Sequence, residues 1–157
     1  EIGDAVHLRF PDENFDNAIF SNNGWTQIPE EQNRLKALRE IFRVLKPGGH
    51  FIFTTHLRIM HGFQFLWIKQ WLKLYLLKPL GFNFGEVDFG DRFFERESTG
   101  GKIYQKQFIH IPKTAEVARQ IQKAGLNLAL KEMAGRLGGG YANSYSPMFF
   151  VCRKPSA

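Results

Sequence analysis

Two short apolar runs separated by a helical pattern constrain the fold of this chain more than any other feature. The runs cover residues 16–20 and 50–54, and both have the length and composition of strands buried on two faces. Between them, from about residue 30 to 45, apolar side chains recur with helical spacing. This order predicts the strand–helix–strand unit of an α/β fold, in which helices cover a mostly parallel sheet.

The boundaries of the predicted helix are marked by helix-breaking residues. Pro29 lies near its start, and Pro47, Gly48 and Gly49 follow its end. We therefore expect a turn at residues 46–49 that leads directly into the second strand. A polar tip at residues 21–25 should connect the first strand to the helix.

The last third of the chain returns to the same kind of pattern. A strand is expected at residues 103–111, followed by a helix that Thr114 caps and Gly125 ends. Residues 126–133 and 148–153 are two further strand candidates. Because no helix separates them, we predict an antiparallel hairpin that closes the sheet.

The segment between these two parts differs from them in composition. Residues 57–100 are rich in aromatic side chains. Within them begins a stretch rich in Gly and Phe with mixed charge, residues 81–101, for which we predict a long ordered loop. The chain thus divides into a first part of the core (1–56), an insertion that acts as a lid (57–100), and the rest of the same domain (101–157).

A helix is expected within this insertion at residues 63–77. Its polar stripe is narrow, with Lys69, Gln70 and Lys73, and the apolar run is shorter than the ~20 residues of a membrane span. The helix could pack on the domain as a lid. It could also lie on a membrane surface or mediate dimerisation.

Charge and cysteine content narrow the class of protein. The net charge of +6 favours an anionic partner such as a carboxylate, RNA or a lipid surface, and it serves equally as a solubility feature. The lone Cys152 excludes an internal disulfide and fits a cytoplasmic protein. No Cys/His group has the spacing of a metal site, so we expect no metal.

Two motifs resemble the C-terminal part of class I S-adenosylmethionine-dependent methyltransferases. The first is Gly3-Asp4-Ala5, followed by Phe-Pro-Asp at 10–12 and Asn-Phe-Asp at 14–16. The second is Leu-Arg-Glu-Ile-Phe-Arg-Val-Leu-Lys-Pro-Gly-Gly at 38–49. Their order and spacing match the family over residues 3–56.

The resemblance implies a Rossmann-like sheet of seven strands, the last one antiparallel, with S-adenosylmethionine as the cofactor. It implies that Asp4 accepts a hydrogen bond from the adenine amino group and that the backbone N–H of Ala5 faces the same ring. Ser21 and Asn22 would lie near the methionine half. The substrate would be faced by Asn23 and Trp25.

One part of the family pattern has no match in this chain. The Gly-rich loop after the family's first strand, and the acidic residue that holds the ribose, are missing. The Gly-rich stretch at 135–140 does not replace that loop, because it lies between two late strands. We therefore expect a sheet that is incomplete at its N-terminus, with the first strand–helix–strand portion upstream of Glu1.

Methyl transfer requires that a nucleophile be positioned and, where needed, deprotonated. Two histidines are candidate bases: His56 at the end of a strand, and His110. An anionic or planar substrate could be bound by a further set of residues, namely Arg58, Tyr104, Arg136, Tyr141 and Tyr145.

Three functions remain open from the sequence. The first is methylation of a small molecule, with an apolar or aromatic acceptor suggested by the aromatic insertion. The second function is methylation of RNA. A loose similarity to tRNA wobble-uridine carboxymethyl methyltransferases suggests it, at residues 90–94, 104–110 and Glu116. The third is a non-catalytic interaction protein that retains only the sheet.

Overall fold

The predicted strand–helix–strand unit is present in the computed structural model, which describes residues 3–98, 101–137 and 147–156 and the side chains of these except 95–106. Strand β1 is Phe15–Phe20, helix α1 is Glu31–Val44 and strand β2 is Leu45–Thr55. The two strands pair in parallel. A 3₁₀ turn at Gly24–Gln27 joins β1 to α1.

The predicted turn at residues 46–49 is a bulge at the start of β2. Pairing jumps from Phe15 opposite Leu45 to Asn17 opposite His50, so the residues between are looped out. Gly48 has φ of +79°, and a Cβ at Gly49 would lie 2.8 Å from a backbone oxygen of β1. The two glycines are therefore required by the backbone at this position.

The main sheet has four strands in the order β1-β2-β6-β5, where β5 is Asn127–Met133 and β6 is Met148–Arg153. Strand β6 is antiparallel to both of its neighbours, while the other three run in one direction. This confirms the predicted α/β sheet with an antiparallel last strand. The last strand, β6, is however not at the edge of the sheet, because it lies between β2 and β5.

The hydrophobic core lies against one face of this sheet. Phe53 stacks on Phe51 and on Phe150 with ring centroids 5.0 and 5.2 Å apart. Leu38 of α1 and Val117 of helix α3 (Thr114–Lys123) pack on the same cluster. Helix α3 begins at Thr114 itself and its capping residue is Lys113, so the predicted cap at Thr114 is wrong by one position.

The insertion contains a helix and a hairpin. Helix α2, Gln64–Leu72, continues as a π-helical turn at Lys73–Leu77 and a 3₁₀ turn at Lys78–Leu80. Strands β3, Asp91–Ser98, and β4, Gly101–His110, form a separate antiparallel sheet. The loop expected at residues 81–101 is therefore wrong in its second half.

The strand expected at residues 103–111 is confirmed as β4, but it pairs with β3 rather than with the main sheet. We therefore propose that the insertion ends near residue 111 instead of residue 100. Among the described residues, no helix is long and apolar enough to cross a membrane.

Candidate active site at the carboxyl edge of the sheet

A cavity of about 490 Å³ lies at the edge where β2 and β5 end and β6 begins. His56 comes directly after β2, Met133 ends β5 and Met148 starts β6. The insertion supplies the opposite wall with Phe63, Leu66, Trp67, Arg92, Ile109 and Ile111. Ligands of open α/β sheets bind at this edge, so the cavity is the candidate acceptor site.

The base of the β3–β4 hairpin presents two chemically different faces. Arg92 pairs with Ile109, and both side chains line the cavity. The adjacent pair, Asp91 and His110, is buried and makes contacts of a different kind, described below. Because side chains alternate along a strand, neighbouring pairs necessarily face opposite sides of the hairpin.

His56 and Arg92 are the basic side chains of an otherwise apolar cavity wall. His56 is half-buried at the carboxyl end of β2. Arg92 is half-buried as well and has no ion-pair partner among the described residues. An imidazole and a guanidinium group therefore face the same apolar space.

Behind the hairpin, His110 lies between two carboxylates. Its Nδ1 is 2.8 Å from Asp91 Oδ1 and its Nε2 is 2.7 Å from Glu116 Oε1. A carboxylate accepts hydrogen bonds, so both ring nitrogens donate and the imidazole carries a positive charge. The side chains of His110 and Asp91 are each 1% exposed, which makes this a buried ion pair.

The pKa directions agree with this protonation state. Burial by itself lowers the pKa of His110, but the hydrogen bonds to Asp91 and Glu116 outweigh it and raise that pKa above its ordinary value. Burial raises the pKa of Asp91 and Glu116, but other groups together outweigh it and lower both. For Asp91 these are the hydrogen bonds from His110 and from the backbone N–H groups of Asp88 and Val87. For Glu116 they are the hydrogen bond from His110 and the positive charges of His110, Arg34 and Arg58. Both ring nitrogens of His110 donate hydrogen bonds to carboxylates, so neither can accept a proton from a substrate.

Two arginines extend this group into a largely buried network of six charged side chains. Arg34 of α1 is fully buried and donates to Asp88 at 2.6 Å. Arg58 lies 3.9 Å from Glu116 and donates to the backbone oxygens of Ile111 and Phe89. Burial lowers the pKa of Arg58. The network, defined as Arg34, Arg58, Asp88, Asp91, His110 and Glu116, joins the insertion to α1 and α3.

The residues expected to hold the cofactor lie in two places. Asp4 is exposed, and its carboxylate accepts a hydrogen bond from the N–H of Val6 at 3.0 Å. Ala5 lines a second cavity of about 370 Å³ together with Ile19 and Phe20 at the end of β1. The exposed Ser21 and Asn22 follow β1 directly.

Asn23 and Trp25 were both expected to face the substrate. The backbone N–H of Asn23 donates to Thr54 Oγ1 at 3.2 Å, which places the loop at the same sheet edge as His56. Its Oδ1 is buried and has no partner among the described residues. The expectation for Trp25 is corrected, because its ring is fully buried in the core and its N–H donates to the backbone oxygen of Arg34.

The remaining sequence candidates do not line the 490 Å³ cavity in the part of the chain that the structure describes. Tyr104 belongs to β4, but its side chain falls outside the description, as do Tyr141 and Tyr145. The side chain of Arg136 is 78% exposed and lies 3.6 Å from Glu132. Arg58 is held by the network.

Three side chains of the network also come close enough to ligate a metal. The ligand atoms of Asp88, Asp91 and His110 all lie within 4.8 Å of one another. Each is already engaged, since Arg34 donates to Asp88, and His110 and two backbone N–H groups donate to Asp91. This donor set fits an ion-pair network better than a metal centre.

Comparison with known proteins gives a family match over the first third of the chain. Residues 1–53 match the family model described as a methyltransferase domain. No curated protein sequence matched the chain. The matched segment contains both motifs on which the resemblance rests.

Solved structures extend the likeness to the whole chain. An S-adenosylmethionine-dependent methyltransferase from Methanosarcina mazei is 19% identical with a TM-score of 0.70, covering all of this chain and 67% of that one. The cyclase SpnF is 18% identical with a TM-score of 0.57, over 100% and 56% of the two chains. This chain thus spans only part of these relatives.

A third solved structure carries ligands. It is the 1,6-didemethyltoxoflavin-N1-methyltransferase of Burkholderia thailandensis, with 1,6-didemethyltoxoflavin and S-adenosylhomocysteine bound. It is 14% identical with a TM-score of 0.55, over 97% of this chain and 48% of that one. These findings confirm the fold and, over residues 1–53, the resemblance to methyltransferases.

Proposed function

We propose that the protein transfers a methyl group to a small molecule bound beside His56. Residues 1–53 match the family model of a methyltransferase domain, and the chain has the fold of S-adenosylmethionine-dependent methyltransferases. The acceptor is apolar or contains a ring. The observation that carries this proposal is the 490 Å³ cavity at the carboxyl edge, whose lining is apolar apart from His56 and Arg92.

The cofactor would be held by residues on the β1 side of this edge. Asp4 would accept from the adenine amino group, with the N–H of Ala5 facing the ring. Ser21 and Asn22 would lie near the methionine half. When bound, S-adenosylmethionine supplies an electrophilic methyl carbon on a sulfonium sulfur, which leaves as the neutral thioether of S-adenosylhomocysteine.

The task left to the cavity is to position the acceptor and to remove its proton. His56 is the residue we assign to proton removal, because it faces the cavity from the sheet edge. Arg92 would bind an anionic group of the acceptor or the anion formed by deprotonation. Asn23, whose buried Oδ1 lacks a partner among the described residues, would hydrogen-bond the acceptor.

His110 and Arg58 receive a positioning role in this proposal. Both are held by the buried network, and neither lines the cavity. They fix the hairpin whose other face contributes Arg92 and Ile109 to the cavity wall. Their substitution should alter acceptor binding through the hairpin rather than through direct contact.

A small molecule fits the cavity better than RNA does. An apolar pocket of this volume holds a ring-sized group, whereas RNA binding depends on basic groups that follow a phosphate backbone. SpnF, a cyclase by name, has a similar fold, so the fold alone does not fix the reaction. The test must therefore measure cofactor binding and methyl transfer separately.

The cofactor is tested on the full-length protein by calorimetric titration with S-adenosylhomocysteine, for which we expect saturable binding. Methyl transfer is then measured with methyl-labelled S-adenosylmethionine and a panel of phenols, naphthols and indoles. Leu66→Trp should fill the cavity and abolish transfer while leaving S-adenosylhomocysteine binding unchanged. Leu137→Trp, at a residue that is 51% exposed, is the matched control and should behave as the unchanged protein.

Undetectable binding of S-adenosylhomocysteine would refute the enzymatic proposal as a whole. Normal cofactor binding combined with full transfer in Leu66→Trp would show that the acceptor binds elsewhere. Labelling of tRNA instead of the panel, with affinity that falls steeply between low and moderate salt, would replace the small molecule by RNA.

A further inference from the structure

The helical stretch at the start of the insertion has one buried face and one exposed apolar face. Trp67, Gln70 and Leu74 are buried, and they lie three and four residues apart on one side of the helix. The other side exposes large apolar side chains. We call these the outer face: Phe65, Ile68, Trp71, Leu72, Tyr75 and Leu76.

The side chains of the outer face are highly exposed to solvent, and hydrogen bonds on the buried side of the helix keep them so. Phe65 is 88% exposed. Gln70 donates to the backbone oxygen of Asp91 at 2.6 Å and accepts from the N–H of Gly90 at 3.1 Å. The indole N–H of Trp67 donates to the backbone oxygen of Ile59 at 2.8 Å. These hydrogen bonds fix the rotation of the helix, so it cannot turn its outer face inward without breaking buried bonds.

The chain segment that carries the outer face contains basic residues and no acidic ones. Residues 57–85 contain Arg58, Lys69, Lys73 and Lys78 but no Asp or Glu. Lys73 and Lys78 lie beside Glu86, while Lys69 is exposed within the outer face itself. An apolar face with tryptophan, tyrosine and lysine is the composition of a helix that lies in the headgroup region of a bilayer.

We propose that the outer face docks on the surface of a lipid bilayer that contains anionic headgroups. The aromatic and aliphatic side chains enter the boundary between headgroups and acyl chains, and Lys69 extends its charge to the headgroups. A second copy of this chain is a poorer partner, since a two-fold interface would place the same lysine-bearing faces against each other.

Docking in this manner also bears on the cavity. Helix α2 contributes Leu66 and Trp67 to the cavity wall, so a docked helix holds that wall against the bilayer. A methyl acceptor that dissolves in lipid would then reach the cavity without crossing bulk water. This consequence rests on the proposed function, whereas the docking itself does not.

The test is flotation of the protein with vesicles of phosphatidylcholine, with and without phosphatidylglycerol. We expect the protein to float with the phosphatidylglycerol vesicles. Phe65→Ser combined with Trp71→Ser should weaken that binding about tenfold or more, because two of the exposed aromatic anchors are lost. Lys69→Glu should weaken binding to anionic vesicles about fivefold or more and leave binding to phosphatidylcholine unchanged.

The matched control is Leu130→Ser combined with Leu137→Ser, which removes two apolar residues outside the insertion that are 45% and 51% exposed. This variant should bind vesicles normally. Vesicle binding that is missing in the unchanged protein, or unaltered in the Phe65/Trp71 variant, would overturn the proposal. The proposal would also be overturned if light scattering showed a dimer without lipid and the Phe65/Trp71 variant were monomeric. The outer face would then bind a second copy of this chain. Binding of S-adenosylhomocysteine, measured on the same samples, reports on the proposed function independently.

Discussion

Replacing His110 by glutamine tests whether its positive charge holds the two carboxylates beside it. The substitution leaves Asp91 buried, at 1% exposure, without its cation. Each hydrogen bond to a charged group contributes about 1.5–3 kcal/mol, and glutamine can replace one of the two. Leaving a buried charge unpaired costs about 3–5 kcal/mol, and this estimate needs no discount for solvent because the pair is buried. We therefore expect a loss of about 3–5 kcal/mol in the free energy of unfolding.

The assay is urea and thermal unfolding followed by circular dichroism near pH 6. For a chain of this size the loss corresponds to a fall in Tm of about 6–20 °C. Arg119→Gln is the matched control, because Arg119 contacts Glu31 at 3.0 Å on the surface, with 52% and 39% exposure. We expect that variant to lose less than about 1 kcal/mol. A His110→Gln protein as stable as the control would refute the view that an imidazolium holds the insertion in place.

Three further predictions follow from the same geometry. Stability should be highest between about pH 4.5 and 6.5. The folded pKa of His110 is raised, so its contribution to stability is lost as the pH rises through that folded pKa. The folded pKa values of Asp91 and Glu116 are lowered, so their contributions are lost as the pH falls through those values, and a flat unfolding profile over pH 4–9 would contradict this prediction. Gly90→Ala should destabilise by more than about 1 kcal/mol in urea unfolding, since Gly90 has φ of +118° and a Cβ would lie 2.6 Å from the Ile111 oxygen. In the full-length protein, Asp4→Ala should weaken calorimetric binding of S-adenosylhomocysteine by about 1–3 kcal/mol, and unchanged affinity would remove Asp4 from the cofactor site.

Periodicity explains which parts of the fold the sequence could predict. Helix α1 and strand β2 lie where the helical spacing and the apolar run place them. Strand β3 was missed because its sequence, DRFFERES, is rich in charge and does not resemble a strand buried in a sheet. Its partner β4 was found as a strand, but the sequence carried no signal for which strand it pairs with.

The candidate site was predictable where it depends on the ends of strands. His56 was found because it follows β2, and the carboxyl end of such a strand is where ligands bind. Arg92 was missed, and Asp91 with it, because both lay in a segment expected to be a loop. Alternation along β3 would have placed them on opposite faces once the strand was known. Arg34 is a charged residue of α1 whose burial the apolar spacing does not indicate, yet it is fully buried.

The hairpin base links the two halves of the site. Its inner pair, Asp91 and His110, is clamped by the buried network, and its neighbours Arg92 and Ile109 form part of the cavity wall. Adjacent positions on a strand cannot move independently, because backbone hydrogen bonds hold the two strands in register. Weakening the network should therefore loosen the cavity wall and raise the KM for the acceptor more than it lowers kcat. A change in cofactor affinity is not expected, since Asp4 and Ser21 lie outside the insertion.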